Sequence, residues 1–267
     1  MITLTSADGT DIRAYDEGHG PAAILIVGPG LDDGTRTRRL GAILAERFRV
    51  LRLHRRQYRL DLDVPCSVAQ EAADVLALAR HAGLPVVVYG HSSGGVVALE
   101  AMAASPSSFA GAVIFEPAAV VTTPWAGADG QVITRARAAI AAGKPGKALA
   151  VFTREATGYP EWQAWTAGMI AALVPRYRRL VPCQINDLQA MDELGNRLET
   201  YARFPVPTVL LAGDRSPPRN TAVLNAINDV MPHAERVIMP NRDHSADMKH
   251  PREVAQIIDT LATKVIT

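Results

Sequence analysis

The sequence predicts an α/β protein with a mostly parallel sheet that helices cover on both faces. Short runs of consecutive apolar residues, typical of buried strands, alternate with amphipathic segments of helical length. Such alternation indicates crossover connections between parallel strands. It stops over residues 118–204, which are mostly helical, and then resumes. We therefore expect a core of residues 1–117 and 205–267 with a helical cap, or lid, formed by residues 118–204.

The strands are predicted first from apolar runs and turn signals. Asp8-Gly9 separates two short segments and is typical of a hairpin turn. Later strands are continuous apolar runs such as AAILIV and GAVIF, which suit a sheet buried on both faces. The predicted strands are Ile2–Thr5, Asp11–Tyr15, Ala22–Val27, Val50–Leu53, Val86–Tyr89, Gly111–Phe115, Val206–Ala212 and Arg236–Met239.

The helices are predicted from apolar residues at helical spacing and from capping residues. Ser67 is a good N-cap for the segment that follows it, and Gly83 ends that segment. In the core we expect helices over Thr37–Phe48, Ser67–Ala82, the Ala-rich run up to Ser105, Thr221–Val230 and Pro251–Thr263. In the cap we expect helices over Val132–Ala142, Pro145–Ala156, Pro160–Leu173 and Asn186–Tyr201.

Composition limits the classes of function. The 267 residues carry a formal net charge of +1, so nothing global indicates a nucleic acid or a membrane as partner. The N-terminal segment lacks the apolar stretch of a signal peptide, and no run of 18 apolar residues occurs, so we expect a cytoplasmic location. Cys66 and Cys183 are far apart and match no metal or redox spacing, which fits a reducing compartment. We expect no metal and no organic cofactor.

The most informative stretch reads PVVVYGHSSGGVVALE, residues 85–100. An apolar strand runs into Gly90-His91-Ser92-Ser93-Gly94, and a helical segment follows. A G-x-S-x-G motif between a strand and a helix is the context of a nucleophile elbow, which exposes its serine above the sheet. The sequence therefore predicts Ser92 as a nucleophile.

A serine nucleophile needs a base, and the chain has seven histidines. His244 lies in a loop directly after the last predicted strand, where a base could reach Ser92. His250, at the start of the last helix, is the competing candidate, although a residue in that position is more typical of a cap or a solvated side chain. We favour His244.

These features together resemble the α/β-hydrolase superfamily, along essentially the whole chain. The residues that carry the resemblance are GHSSG at 90–94, the GPGL loop after an early strand, and RDH at 242–244 in nucleophile-before-histidine order. The resemblance implies Ser92 as nucleophile and His244 as general base. It also implies an oxyanion hole formed by the backbone N–H groups of Ser93 and Leu31, although Pro29 stands where the common pattern has a histidine.

The acid of the triad departs from the commonest family pattern. The usual position corresponds to Ser216, which cannot carry a charge, and the nearby Asp214 lies two residues early. A second position, used by one subgroup of dehalogenases and by zearalenone-type lactonases, corresponds to Glu116 after the strand that follows the nucleophile helix. The pattern SSG…FEP is most similar to bacterial hydrolases of the actinobacterial type. We favour Glu116, with Asp214 as the alternative.

The predicted cap contributes aromatic residues that could contact a substrate. Trp162 and Trp165 recur on one helix face, and together with Trp125 they are predicted to line an apolar substrate pocket. The basic residues of the early loops, by contrast, are expected to face solvent, with attraction of a substrate carboxylate or phosphate as the alternative. These basic residues are Arg36, Arg38, Arg39, Arg52, Arg55, Arg56 and Arg59.

The predicted function is hydrolysis of a small, apolar carboxylic ester or lactone through an acyl-enzyme. The same triad would also support C–C bond hydrolysis, amide hydrolysis or cofactor-free perhydrolysis, and a non-catalytic binding module on the same scaffold is a further alternative. Epoxide hydrolases and dehalogenases need a carboxylate nucleophile, so a serine at position 92 argues against both. A homodimer is compatible with the sequence, which leaves the oligomeric state open.

Overall fold

The computed structural model describes residues 1–62, 65–83 and 85–266. Its centre is a sheet that has eight strands within these residues, in the order β1-β2-β4-β3-β5-β6-β7-β8. The strands are β1 Ile2–Thr5, β2 Asp11–Glu17, β3 Ala23–Val27, β4 Arg49–His54, β5 Val86–His91, β6 Phe109–Phe115, β7 Thr208–Gly213 and β8 Glu235–Met239.

The sheet is antiparallel only at one edge. Strands β1 and β2 form the predicted hairpin, and β2 pairs antiparallel with β4. From β4 to β8 every pairing is parallel, with Leu25 opposite Val88 and Val88 opposite Ala112 at the centre. Since parallel strands end at the same edge, the loops after β3, β5, β6, β7 and β8 meet there.

Helices flank the sheet and connect its strands. The helices of the core are α1 Arg38–Leu44, α2 Val68–Ala82, α3 Ser93–Ala104, α9 Pro218–Val230, α10 Ala246–Lys249 and α11 Pro251–Val265. The helices between β6 and β7 are α4 Gln131–Ala141, α5 Pro145–Val151, α6 Glu161–Leu173, α7 Pro175–Leu194 and α8 Leu198–Tyr201, and a π-helical turn, Phe152–Ala156, follows α5.

Two apolar layers cover the two faces of the sheet. On one face, Leu78 of α2, Val97 of α3 and Leu224 of α9 belong to a single buried cluster. On the other face, Leu40 of α1 and Ile258 of α11 belong to a second cluster. The central strands are buried along their whole length, which explains why they are continuous apolar runs rather than alternating ones. The predicted doubly covered, mostly parallel sheet is confirmed.

The structure corrects one helix of the segment between β6 and β7, which we call the insert. The sequence predicts a helix over Asn186–Tyr201, but α7 begins eleven residues earlier, at Pro175, and ends at Leu194, directly before Gly195, whose φ is 71°. Pro175 occupies the first turn, where a proline N–H is not needed, and Pro182 lies inside the helix. The interior proline misled the sequence pattern, because proline usually marks a helix end. Among the described residues, no helix is both long and apolar enough to cross a membrane.

Candidate active site

Ser92 occupies the turn between β5 and α3 with a strained backbone. Its φ of 56° and ψ of −125° are uncommon for a residue with a side chain, and such values concentrate at functional sites. Its N–H donates to the carbonyl of Phe115, and its own carbonyl accepts from Gly95 N–H, at 3.0 and 2.9 Å. The turn is therefore fixed from both sides, and the serine side chain stays partly exposed.

The glycines that flank Ser92 allow the strand and the helix to pack closely. A Cβ atom on Gly94 would lie 2.2 Å from the carbonyl oxygen of Gly28, and one on Gly90 would lie 2.8 Å from the Cβ of Ala98. Both distances are too short for any side chain. The G-x-S-x-G spacing is thus a steric requirement of this turn.

Glu116 follows β6 and contacts His244 in the loop after β8. Its carboxylate Oε2 lies 2.6 Å from His244 Nδ1, while its Oε1 accepts from the backbone N–H of Gly213 at 2.8 Å. The side-chain amide of Asn220 donates to Oε2 at 2.9 Å. Glu116 is itself buried, with a φ of 41°, so the carboxylate leaves an apolar strand but is fully surrounded by donors.

These contacts shift the pKa of Glu116. Burial alone would raise the pKa of Glu116, but the hydrogen bond with His244 and the charge of its ring hold that pKa below its ordinary value. A carboxylate against Nδ1 favours the tautomer that carries its proton there, which leaves the lone pair of Nε2 free. The arrangement suits a histidine that accepts a proton.

His91, next to Ser92 in the chain, packs against His244. Its ring stacks on Phe115 at 4.5 Å, and it lies 4.5 Å from the ring of His244 at a tilted angle. His91 Nδ1 contacts Asp247 Oδ2 at 2.8 Å, and both residues are buried. Burial lowers the pKa of His91. Burial alone would raise the pKa of Asp247, but the contact with His91 lowers it to about 2. Sequence reasoning missed this pair, although the histidine inside GHSSG was a visible signal.

The alternative acid and base lie elsewhere. Asp214 is exposed, and its Oδ1 accepts from the backbone N–H of Arg242. His250 lies 3.9 Å from Glu253 at the start of α11. Of the two candidate acids, the structure brings Glu116 to His244 and leaves Asp214 at the surface.

The two candidate oxyanion residues follow neighbouring strands, β3 and β5. Ser93 is the first residue of α3, where backbone N–H groups lack intrahelical partners and the helix dipole favours negative charge. Leu31 follows β3 with a φ of 56°.

A buried charge cluster holds the side chain of Ser93. The Ser93 hydroxyl donates to Asp187 of α7 at 2.5 Å and accepts from Arg55 at 2.7 Å. Arg55 also pairs with Asp187 at 2.7 Å and with Glu71 of α2 at 2.5 Å. The Tyr58 hydroxyl donates to Asp187 at 2.7 Å. This cluster, Arg55, Tyr58, Glu71, Ser93 and Asp187, ties the insert to the residue after Ser92.

The expectation that the basic loop residues face solvent is wrong for four of them. Arg52, Arg55, Arg56 and Arg59 are buried and paired with acidic residues. A buried guanidinium requires such partners. The signal in the sequence was the pair Glu71 and Asp74 at the start of the next helix, which supplies two of the partners.

The tryptophans differ from their predicted role in a substrate pocket. Trp162 and Trp165 lie on the solvent side of α6, with 67% and 65% of their surface exposed. Small residues form the packed side of this helix, so the large ones face outward. Trp125 is instead buried, donates from Nε1 to the carbonyl of Ala119, and carries the guanidinium of Arg219 on its ring at 4.0 Å. It serves as packing at the base of the insert.

Comparison with known proteins agrees with this architecture. A family model described as "Alpha/beta hydrolase family" matches residues 19–257. The chain is similar to the crystal structure of an α/β hydrolase from Sphaerobacter thermophilus, at 28% identity and a TM-score of 0.83, with 97% of this chain and 99% of the other covered. The comparison with curated protein sequences gives no match.

Two further solved structures share the fold at lower identity. A thermophilic esterase from Thermogutta terrifontis has 22% identity and a TM-score of 0.76, with 100% of this chain and 99% of the other covered. An enol-lactonase from Burkholderia xenovorans has 17% identity and a TM-score of 0.78, with coverages of 98% and 100%. The family match spans most of the chain and confirms the resemblance predicted from the motifs: this chain belongs to the α/β-hydrolase family.

Proposed function

We propose that the protein is a serine hydrolase that cleaves a carboxylic ester or lactone through an acyl-enzyme. The observation that carries the proposal is the 2.6 Å contact between Glu116 and His244, at the sheet edge where the strained turn presents Ser92. A histidine oriented by a buried carboxylate, at the sheet edge that carries such a serine, is the arrangement that can activate a hydroxyl nucleophile.

In the first step, Ser92 Oγ attacks the carbonyl carbon of the substrate while its proton moves to His244 Nε2. The carbonyl π electrons move to oxygen, and the backbone N–H groups of Ser93 and Leu31 donate hydrogen bonds to this oxyanion. The C–O bond to the alcohol then breaks, and His244 returns the proton to the leaving oxygen. For a lactone, the alcohol stays attached to the acyl chain.

In the second step, water hydrolyses the acyl-enzyme. His244 takes a proton from the water, the hydroxide attacks the acyl carbon, and the proton returns to Ser92 Oγ as the acid leaves. Glu116 remains ionised throughout and stabilises the imidazolium that forms twice per turnover. The lowered pKa of Glu116 supports this role, since the carboxylate then stays ionised at pH values where an ordinary glutamate would be protonated.

The experiment that tests the proposal is active-site labelling with a fluorophosphonate probe, followed by peptide mass spectrometry. We expect one adduct, on Ser92, and no adduct in Ser92→Ala. Hydrolysis of p-nitrophenyl esters and of simple lactones should be lost in the same variant. Labelling of the folded wild type at any other serine, or full hydrolysis by Ser92→Ala, would overturn the mechanism. Binding of esters without turnover by the wild type would favour a binding module.

A further inference from the structure

Helix α6, Glu161–Leu173, packs against the protein through its small residues rather than its large ones. Its buried side consists of small residues: Ala164, Gly168 and Ala171. Gly168 approaches α5 so closely that a Cβ on it would lie 2.6 Å from the carbonyl oxygen of Gly146. The helix is therefore held to the protein through its small side, and its large apolar residues point away from the protein.

Those large residues form one surface, which we call the α6 outer face, around Thr166, whose hydroxyl donates to the carbonyl of Trp162. It consists of Trp162, Trp165, Met169, Ile170 and Leu173, all exposed, with Leu173 at 72%. Their spacings of three, four, one and three residues place them within about 140° of the helix circumference. Their exposed surface amounts to roughly 700 Å², above the usual largest apolar patch of a soluble monomer, and such a patch marks an interaction site.

The charges around the face indicate what covers it. The only charged residue within α6 is Glu161, in its first turn. A helix that binds a lipid surface carries lysine or arginine along its polar edges, and α6 has neither. The chain directly after α6 is basic, with Arg176, Arg178 and Arg179. The face is thus uncharged along its length. Glu161 at its start pairs with Arg154, and Arg176 beyond its end pairs with Asp33.

We propose that the α6 outer face is the contact between two copies of this chain, with the two α6 helices antiparallel about a twofold axis. An axis beside Thr166 and Met169 sets Trp162 against the partner's Leu173 and Trp165 against the partner's Ile170. Large rings then meet smaller aliphatic side chains, as a self-complementary interface requires. Antiparallel pairing also keeps the two copies of the exposed Arg178 and Arg179 apart, whereas parallel pairing would bring these like charges together.

The size of the face agrees with such a contact. A standard interface covers about 800 Å² on each partner, close to the exposed area of this face. Tryptophan is the residue type most enriched among those that dominate binding energy at interfaces, and each copy contributes two. The proposal is independent of the activity proposed above.

The test is sedimentation velocity over a hundredfold range of protein concentration. We expect the wild type to sediment as a dimer, and Trp165→Glu and Leu173→Glu each to weaken dimerisation by at least about 100-fold, because the new carboxylate would be buried without a partner. Leu60→Glu is the matched control, since Leu60 is 50% exposed and lies outside the face. Circular dichroism and the melting temperature establish that the variants are folded, as expected for exposed positions.

Disulfide trapping tests the orientation. The native thiols, Cys66 and Cys183, are both buried and give no background. We expect Met169→Cys, beside the proposed axis, to form an intermolecular disulfide on mild oxidation, and Glu161→Cys, whose copies lie about 20 Å apart in an antiparallel pair, not to form one. Efficient trapping of Glu161→Cys alone would overturn the antiparallel arrangement.

Three results would overturn the interface itself. One is a wild type that remains monomeric over the whole concentration range. The second is a dimer that neither glutamate substitution weakens. The third is a wild-type monomer that binds phosphatidylcholine vesicles and loses this binding in Trp165→Glu, which would identify the occupant as a lipid surface.

Discussion

Glu116 and His244 are 128 residues apart in sequence and 2.6 Å apart in space. They come from loops after β6 and β8, and β7 lies between these two strands. The carboxylate reaches across the end of β7, where Gly213 donates its backbone N–H to the same group. The Glu116–His244 contact thus lies at the ends of three adjacent parallel strands, β6, β7 and β8.

The first prediction concerns the identity of the acid. Glu116→Gln should lower kcat for p-nitrophenyl ester hydrolysis by about 10³- to 10⁴-fold with little change in KM, because an amide can neither fix the His244 tautomer nor stabilise the imidazolium. Asp214→Asn is the control and should retain activity within about twofold, since Asp214 is exposed. The reverse pattern would transfer the role to Asp214.

The second prediction is the pH dependence of stability. Because the pKa of Glu116 is lowered in the folded protein, its ionised carboxylate stabilises the fold above the ordinary glutamate pKa of 4.5, and this contribution is lost as pH falls through the lowered value. The difference in melting temperature between wild type and Glu116→Gln should therefore be largest near neutral pH and shrink below pH of about 4. A difference that grows on acidification would contradict the lowered pKa of Glu116.

The third prediction concerns the buried charge cluster. Asp187→Ala removes the acceptor for Ser93, the nearer of the two acceptors for Tyr58 and one of the two carboxylates of Arg55, so the free energy of unfolding should fall by about 3–5 kcal/mol. Ser93→Ala should cost only about 1–3 kcal/mol. Urea denaturation measures both, and Asp229→Ala, an exposed aspartate on α9, should be nearly neutral. Equal, small effects of all three substitutions would show that the cluster contributes little.

The fourth prediction concerns the glycines of the elbow. Gly94→Ala would place a Cβ 2.2 Å from a backbone oxygen, whereas Gly95→Ala would place one 3.2 Å from the Cβ of Pro117. We expect a loss of about 3 kcal/mol or more in unfolding free energy for the first and about 1 kcal/mol for the second. Thermal denaturation of the pair checks the order, and a more stable Gly94→Ala would contradict the close packing.

The fifth prediction concerns the thiols. Burial raises the pKa of Cys183 to about 11 and that of Cys66 further. Both should therefore stay protonated at pH 8 and react with Ellman's reagent only after unfolding. Two equivalents of thiol released at once from the folded protein would contradict the burial. Low thiol reactivity also leaves serine as the target of the fluorophosphonate probe.

Local patterns in the sequence predicted the parallel sheet and the turn at Ser92. Apolar runs, capping residues and closely spaced glycines report on their own neighbourhood, so residues 85–100 indicate a strand, a turn and a helix without any other part of the chain. The interior Pro182 misled the prediction of α7, since a packed helix tolerates a proline that an isolated segment would not.

Contacts between distant segments were not accessible to the same reasoning. His91 and Asp247 are 156 residues apart, and Arg55 and Asp187 are 132 apart. The arginines near Arg55 look in the sequence like residues of a solvent-exposed loop. Their acidic partners lie elsewhere in the chain, so the sequence alone does not indicate that they are buried. The two tryptophans of α6 recur on one face of the helix, but this spacing does not indicate whether that face packs against the protein or lies in solvent.

By itself, the sequence determined the class of fold, the strained serine turn, and a short set of candidate residues, because backbone propensity, apolar periodicity and glycine spacing are local properties. Only the tertiary structure decided that Glu116 rather than Asp214 meets His244, that Asp187 holds Ser93, and that Trp162 and Trp165 face outward. Each of these depends on which strand ends and helix faces come together, and that follows from the packing of the whole chain.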